Sequence, residues 1–294
     1  MPKGIIIKGI GGFYYVKVNN KIIECKARGK FRKSNMIPMV GDYVEVSVLP
    51  NDVAKGSIDN IYPRTTALVR PPVANVEQLV IVVAVRKPDP NLLLLDKLII
   101  AAELNKLSII ICLNKIDLDE EKTYIHQYNI YQSAGYKVIC TSIHTHQGID
   151  ELKNLLKGKI SAFAGVSGVG KSSLLNAIDS EYRLETGEVS KKIARGKHTT
   201  RHVELLTLED GGYVVDTPGF SSMEVIDIQA GELSYLFKEF IKYFPLCKFR
   251  GCTHTVEPGC GVIEAVNEGK ISDSRYQNYI QLYNQLKNKK EWER

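Results

Sequence analysis

Residues 165–173 read Gly165-Val166-Ser167-Gly168-Val169-Gly170-Lys171-Ser172-Ser173, which is the spacing G-x-x-x-x-G-K-S. The apolar run 160–164 before it predicts a short buried strand, and residues 173–178 after it predict a helix. Glycines let backbone N–H groups converge on phosphate oxygens, and the positive end of the following helix points at the same anion. Strand, loop and helix together therefore predict a phosphate-binding P-loop.

Two side chains of this loop have predicted chemical roles. Lys171 would reach the outer phosphates of a nucleotide, which makes it a candidate catalytic residue. The hydroxyl of Ser172 would bind Mg²⁺. The predicted phosphate-binding residues are Gly165, Val166, Ser167, Gly168, Val169, Gly170, Lys171, Ser172 and Ser173.

The 294 residues are 44% apolar, which allows two or three domains with their own cores and excludes a globally disordered chain. No apolar run approaches the roughly 18 residues of a membrane span, and the start Met1-Pro2-Lys3 lacks the pattern of a signal peptide. We therefore expect a cytoplasmic protein with no membrane partner.

Residues 1–66 predict an all-β domain. Five short strands in such a segment favour a small closed barrel such as an OB-fold, and an SH3-like barrel would show the same pattern. Asn19-Asn20 predicts a hairpin turn between two of the strands. The predicted strands are residues 5–7, 13–18, 21–27, 42–48 and 57–61.

The same segment carries the positive charge of the chain. The formal net charge is +6, and residues 1–66 contain eleven Lys or Arg against five Asp or Glu. This excess favours a polyanionic partner such as RNA, with an ordinary solvated basic face as the alternative. In the basic loop 26–33, Phe31 could stack on a base or pack locally.

Residues 67–226 alternate between predicted strands and helices. Apolar strands are predicted at 78–85, 107–113 and 137–141, and helices at 92–106 and from about 149 to 156. Such alternation predicts a parallel α/β sheet, whose ligands bind at the carboxyl ends of the strands.

Asn114-Lys115-Ile116-Asp117 directly follows one of these strands. A carboxylate there can accept hydrogen bonds from N1–H and the 2-amino group of guanine, two donors that adenine lacks. Residues 141–143 follow the next strand and would place backbone N–H groups near the base. The predicted base-binding residues are Asn114, Lys115, Ile116, Asp117 and Ser142.

Asp216-Thr217-Pro218-Gly219 follows a further apolar strand, residues 212–215. A carboxylate at that strand end can hold a Mg²⁺-bound water, and the Gly219 N–H can meet a γ-phosphate. The polar, basic loop 191–201 precedes this strand, and a Thr hydroxyl from it could complete the Mg²⁺ coordination. The predicted magnesium residues are Ser172, Thr200 and Asp216, with Thr199 as the alternative to Thr200.

Residues 227–294 predict a mainly helical domain with a metal site. Residues 231–244 have an apolar stripe at helical spacing and end before Pro245, which predicts one amphipathic helix. Three cysteines and a histidine within fourteen residues indicate a closed structural zinc site. The predicted zinc ligands are Cys247, Cys252, His254 and Cys260.

A last helix is predicted from about Asp273 to Lys290. It carries Arg275, Lys287, Lys289 and Lys290, which could contact RNA or form a solvated face.

These motifs together resemble the signature of a GTPase in an unusual order, because Asn114–Asp117 precedes the P-loop and Asp216–Gly219 comes last. With a β-barrel before the motifs and a Cys/His cluster after them, the chain resembles the bacterial small ribosomal subunit biogenesis GTPases over its whole length. The resemblance implies a circularly permuted α/β P-loop GTPase domain (67–226), an N-terminal OB-fold that binds RNA (1–66) and a C-terminal zinc-binding helical domain (227–294).

The resemblance further implies a monomer that hydrolyses GTP with Mg²⁺, contacts the small subunit and its rRNA, and is stimulated by that subunit. Phe220 follows the Asp216–Gly219 motif, where many GTPases have a water-positioning Gln nearby. The family is thought to use a His of the preceding loop instead, and His198 occupies that position.

The residues disfavour two other classes of function. An RNA-binding scaffold with a vestigial nucleotide site is disfavoured by the intact Lys171, Ser172, Asp117 and Asp216. A P-loop ATPase or kinase is disfavoured by Asp117, since its carboxylate would lack donors on adenine.

Overall fold

The computed structural model describes residues 1–33, 36–69, 71–179, 203–216 and 228–288; the side chains of Arg32, Lys33 and Asp216 are not described. The strands in these ranges are β1 (Lys3–Ile10), β2 (Phe13–Val18), β3 (Lys21–Ala27), β4 (Tyr43–Leu49), β5 (Asp52–Ile61), β6 (Ala67–Leu68), β7 (Val73–Ala74), β8 (Gln78–Ala84), β9 (Ser108–Asn114), β10 (Lys137–Thr141), β11 (Ile160–Ala164), β12 (Glu204–Thr207) and β13 (Tyr213–Asp216).

The α-helices in the same ranges are α1 (Lys30–Lys33), α2 (Leu92–Leu104), α3 (Tyr124–Ser133), α4 (Ile149–Leu156), α5 (Lys171–Ile178), α6 (Lys238–Ile241), α7 (Gly261–Asn267) and α8 (Asp273–Asn288). Three short 3₁₀ segments are Ile116–Leu118, Ala230–Leu236 and Phe244–Leu246. No helix of the described ranges combines the length and the apolarity needed to cross a membrane.

The chain divides into two compact units. Unit 1 consists of Met1–Val80, Ile149–Ser167 and Lys171–Ser222. Unit 2 consists of Ile81–Gly148, Gly168–Gly170 and Met223–Arg294. The chain therefore passes from one unit to the other within β8 and again within the P-loop.

In unit 1 the N-terminal strands form a closed barrel. β1 pairs with β2, β2 with β3, β3 with β5 and β5 with β4, and β4 closes the ring by pairing with β1. The β3–β5 pair is parallel and the others are antiparallel. This order is that of an OB-fold, which settles the choice that the sequence left open. Asn19 forms the predicted turn with φ +52°, and Phe31 is buried, so it packs locally.

The second part of unit 1 contains the strand and the helix that flank the P-loop. β11 is parallel to β13, and β13 is antiparallel to β12, a strand that the sequence patterns did not predict. β11 is completely buried, and α5 follows it after six residues. The predicted strand, loop and helix are thus confirmed.

In unit 2, β9 and β10 run parallel, in the register Cys112↔Ile139 and Asn114↔Thr141. Their carboxyl ends therefore lie at the same edge, as predicted from the alternation of strands and helices. The residues after β9 and after β10 are brought together by this register.

The tail of unit 2 packs around its own apolar core, but the single helix predicted for 231–244 is wrong. The chain instead forms the 3₁₀ segment Ala230–Leu236, breaks at Phe237 (φ −103°, ψ 92°) and resumes as the one-turn helix α6. The core residues are Leu233, Phe237, Phe240, Val262, Ile271, Tyr279 and Leu282, and each is at most 2% exposed.

The prediction that Arg275 could contact RNA is also wrong. This guanidinium is 1% exposed and lies 4.6 Å from the centre of the Phe237 ring. It binds the Asp96 carboxylate through Nη1 at 2.5 Å and the Glu239 carboxylate through Nε at 2.7 Å. Arg275 is therefore a core residue, because two buried carboxylates compensate its charge. Lys287 is exposed on α8, and Lys289 and Lys290 lie outside the described residues.

Candidate functional site

Three glycines of the P-loop have backbone conformations that L side chains rarely adopt, beginning with Gly165 at φ +138°. Gly168 has φ +83° and Gly170 has φ +100°. Lys171 opens α5, and its ammonium donates to the carbonyls of Gly165 at 2.6 Å and Val166 at 2.9 Å. Burial lowers the pKa of Lys171 below its usual value. An anion beside it would favour the charged form again, which is the electrostatic setting expected of a phosphate site.

Residues 114–117, here called the base motif, contact the tip of this loop. The Asn114 amide donates to the Val169 carbonyl at 2.8 Å, and the Lys115 ammonium donates to the Gly168 carbonyl at 2.6 Å. A Cβ atom on Gly170 would collide with the same Asn114 amide. The base motif and residues 168–170 thus fix each other within unit 2.

The predicted guanine ligand Asp117 lies next to Ser142. The Ser142 hydroxyl donates to Asp117 Oδ1 at 2.6 Å, and Thr141 donates to Asn114 Oδ1 at 3.0 Å. Both contacts link the end of β9 with the end of β10. Ile116 is buried, so its side chain anchors the motif while Asp117 is half-buried. The arrangement presents a carboxylate at the edge of the strands, beside the tip of the P-loop.

The structure describes the predicted magnesium residues only in part. Ser172 lies in the first turn of α5, and the backbone of Asp216 ends β13. His198, Thr199, Thr200 and Gly219 lie outside the described residues.

Residues 247–260, here called the metal loop, gather the four predicted zinc ligands. Their donor atoms all lie within 4.8 Å of one another. His254 Nδ1 is 3.3 Å from Cys260 Sγ and 3.6 Å from Cys247 Sγ, and the two Sγ atoms are 4.0 Å apart. A tetrahedral site with Zn–S bonds of about 2.3 Å has S···S edges of about 3.8 Å. The donor set therefore fits a tetrahedral metal ion.

Burial favours the neutral forms of the side chains in this cluster. Burial raises the pKa of the Cys252 thiol to about 12 and that of Cys260 above its usual value. Burial also lowers the pKa of His254. Thiolates so close together in a poorly solvated loop need a bound cation to be stable, and a metal ion of the Zn²⁺ type supplies it.

Glu257 organises the metal loop, although no sequence pattern above singled it out. Its carboxylate accepts hydrogen bonds from the backbone N–H groups of Thr253 at 2.8 Å, Thr255 at 3.0 Å and Val256 at 3.2 Å. These bonds hold the loop on both sides of His254, whose φ is +57°. The sequence signal for this role is an acidic residue three positions after the predicted ligand His254, close to two threonines.

Comparisons with known proteins agree with this geometry. A family model described as the RsgA GTPase matches residues 61–226, and one described as the RsgA N-terminal domain matches residues 3–58. The small ribosomal subunit biogenesis GTPase RsgA of Ruminiclostridium cellulolyticum is 53% identical over 98% of this chain and 94% of its own length. The protein of the same name from Caldanaerobacter subterraneus subsp. tengcongensis is 52% identical, over 98% and 96%.

Two solved structures share the fold. The crystal structure of YjeQ from Thermotoga maritima superimposes with a TM-score of 0.85 at 41% identity, covering 98% of this chain and 99% of that one. YloQ, described as a circularly permuted GTPase, gives 0.82 at 37% identity, covering 99% and 96%. The order of the motifs in this chain is the permuted one. With a family model over more than half of its residues and relatives of about 50% identity over nearly its full length, the chain belongs to the RsgA family of circularly permuted GTPases.

Proposed function

We propose that this chain hydrolyses GTP to GDP and phosphate as a late assembly factor of the small ribosomal subunit. The contact between the base motif and the tip of the P-loop is the main support for the proposed binding of a guanine nucleotide. Asn114 and Lys115 hold residues 168–170 while Asp117 presents its carboxylate beside them. A single nucleotide with guanine at one end and phosphates at the other suits that arrangement.

The Asp117 carboxylate accepts hydrogen bonds from guanine. The base site is shaped by Asn114, Lys115, Ile116 and Ser142. The phosphates are bound by residues 165–173 and by the Gly219 N–H. Ser172, Thr200 and Asp216 would hold Mg²⁺, which neutralises negative charge on the phosphates when bound.

Two residues are proposed to be catalytic. Lys171 stabilises the charge that develops on the β–γ bridge, because its ammonium lies against the Gly165 and Val166 carbonyls of the phosphate-binding loop. His198 orients the attacking water, a role that Phe220 cannot fill after the Asp216–Gly219 motif. Support for His198 comes from its place in the sequence.

The partner is proposed from the names of the relatives and from the charge of the barrel. All of the net charge of +6 resides in residues 1–66, which suits a contact between the OB-fold and rRNA. The proposed domains are residues 1–66 for RNA binding, 67–226 for GTP hydrolysis and 227–294 for zinc binding. We propose that the metal is one structural Zn²⁺, and that the chain acts as a monomer in the cytoplasm.

The test measures GTP turnover by the purified chain alone, with isolated small subunits and with large subunits as the control. We expect slow turnover alone and acceleration by small subunits only. His198→Ala should bind GTP and the subunit normally but lose most of the acceleration, since the histidine acts on the water and not on the nucleotide. Equal stimulation by large subunits would refute the partner, and stimulated turnover of His198→Ala within about twofold of wild type, about 0.4 kcal/mol, would refute the role of His198.

A further inference from the structure

Unit 1 contains a cavity of about 490 Å³ that shares no residue with the nucleotide and metal sites. It is lined mainly by lysine and tyrosine side chains from the barrel and from β13. We call it the tyrosine pocket and define it by Lys3, Lys17, Asn19, Tyr43, Tyr62 and Tyr213. Pockets of about 300–1,000 Å³ take small organic ligands, so the volume is sufficient for a nucleotide.

Strand register brings these residues together. Lys17 on β2 and Tyr43 on β4 both pair with Ile5 of β1. Asn19 follows β2 in its hairpin turn, and Tyr213 opens β13. The pocket is therefore built on paired strands, so its side chains start from fixed backbone positions.

The aromatic rings and the ammonium groups of the pocket are close to each other. Lys3 Nζ lies 4.8 Å from the centre of the Tyr62 ring, and Lys17 Nζ lies 5.9 Å from that of Tyr213. A hydrogen bond with the Tyr62 hydroxyl raises the pKa of Lys3, so this lysine is charged at neutral pH. The pocket thus offers cations beside aromatic faces.

Two other observations define the surroundings of the pocket. The Tyr62 hydroxyl donates to Glu45 Oε1 at 2.8 Å, which fixes this ring. Tyr43 is neutral, as burial and then the charge of Glu77 raise its pKa further, and the residue is 43% exposed. An exposed neutral ring is a surface on which a base can stack.

Building on the RNA-binding role proposed above for residues 1–66, we propose that the tyrosine pocket binds one unstacked nucleotide of a single-stranded nucleic acid. The base stacks on Tyr43, the phosphate lies on Lys3 and Lys17, and the amide of Asn19 offers a donor and an acceptor to the base edge. A free nucleotide has the same chemistry. A strand is favoured because the excess positive charge of residues 1–66 exceeds what one phosphate requires.

The test is a binding titration with a fluorescein-labelled single-stranded RNA of ten nucleotides, at saturating GDP and Mg²⁺ so that the P-loop is occupied. Tyr43→Leu should weaken binding by about fivefold or more, the lower range for loss of one stacked base, whereas Tyr43→Phe should bind like wild type. Lys17→Gln should reduce the slope of log affinity against log salt by about 0.7. Lys21→Gln, an exposed lysine on β3 outside the pocket, is the matched control.

Each outcome is decisive. If uridine or adenosine monophosphate displaces the RNA with a dissociation constant equal to that of the RNA, the pocket is supported and its ligand is a free nucleotide. Binding by Tyr43→Leu and Lys17→Gln equal to that of Lys21→Gln would overturn the proposal. GTP turnover without ribosomal subunits, measured on the same samples, shows that each variant is folded. It also shows whether the GTPase assignment holds when the pocket proposal does not.

Discussion

The base motif and the metal loop are both short irregular stretches that gather polar side chains, yet different interactions hold them in place. Asn114 ends β9 and pairs with Thr141 of β10, so the base motif starts from a backbone position that strand pairing defines. The metal loop lies between a 3₁₀ turn and α7, and its four donors converge without any strand. The first site is positioned by the sheet. The second depends on its own ligands, so loss of those ligands should affect the two sites very differently.

Removal of the metal should have the largest effect, confined to the tail. Structural zinc contributes on the order of 10 kcal/mol or more of apparent binding free energy in small zinc-binding peptides, because the site does not exist in the unfolded chain. We therefore expect chelation, or Cys252→Ser, to abolish hydrogen-exchange protection of residues 245–262. The affinity for GDP should change by less than about threefold, since strands β9 and β10 hold Asp117 and Ser142.

Cys140→Ser on β10 is the control, because this cysteine is not a proposed ligand. Elemental analysis of wild type should find about one zinc per chain. A chain without metal that keeps its tail protected would show that the metal does not hold the tail. A chain that loses GDP binding together with the tail would show that the two sites are not held independently.

Arg275→Ala should have the next largest effect. The substitution leaves the buried carboxylates of Asp96 and Glu239 without their cation, which typically costs about 3–5 kcal/mol. Urea unfolding of the metal-loaded chain should show this loss, whereas Arg250→Ala, at an exposed site, should stay within about 0.5 kcal/mol. Similar midpoints for the two variants would mean that the metal loop alone holds the tail.

Patterns of the sequence predict the strands before the base motif and the P-loop, and the Cys/His cluster, but they fail where side-chain burial decides the backbone. Leu233, Phe237 and Phe240 lie at helical spacing and are all completely buried. Leu233 and Leu236 are three residues apart, a spacing that suits a 3₁₀ helix as well as an α-helix, so the stripe could not reveal the break at Phe237. The stripe identified the buried residues of this segment and not its backbone conformation.

The error at Arg275 has a different origin. A charged residue on a polar helix indicates an exposed position unless its partners are known. Asp96 is 179 residues away along the chain and Glu239 is 36 away. No local pattern marks such a cluster. The base motif and the P-loop, by contrast, could be predicted because each directly follows a strand that its own apolar residues predict.

Asp117→Asn should weaken GDP binding by about a hundredfold while leaving the fold intact. The variant loses a charged acceptor for two guanine donors, and hydrogen bonds to charged groups contribute about 1.5–3 kcal/mol. Xanthosine diphosphate, whose 2-oxo group accepts a hydrogen bond, should bind the variant better than GDP does. Calorimetric titration of both nucleotides against the variant and against Asp150→Asn, an exposed control on α4, checks this. An unchanged preference for GDP would remove Asp117 from the base site.

The smallest effect is expected at Glu257, which tests whether the metal loop is organised by more than its four ligands. Hydrogen bonds from the loop hold the pKa of Glu257 at about 2, so it is ionised at neutral pH and accepts from three backbone N–H groups. In Glu257→Gln an amide donor faces some of those donors, and the turn around His254 loses part of its support. Groups that bond a metal ligand directly are typically worth 10–100-fold in metal affinity, and Glu257, which bonds the backbone beside His254, should be worth about tenfold or less. Competition with a zinc-binding dye should show such a loss in Glu257→Gln and none in Glu264→Gln, an exposed acid on α7. If both variants hold zinc equally, the four ligands alone position the loop, and the contrast with the strand-supported base motif becomes sharper still.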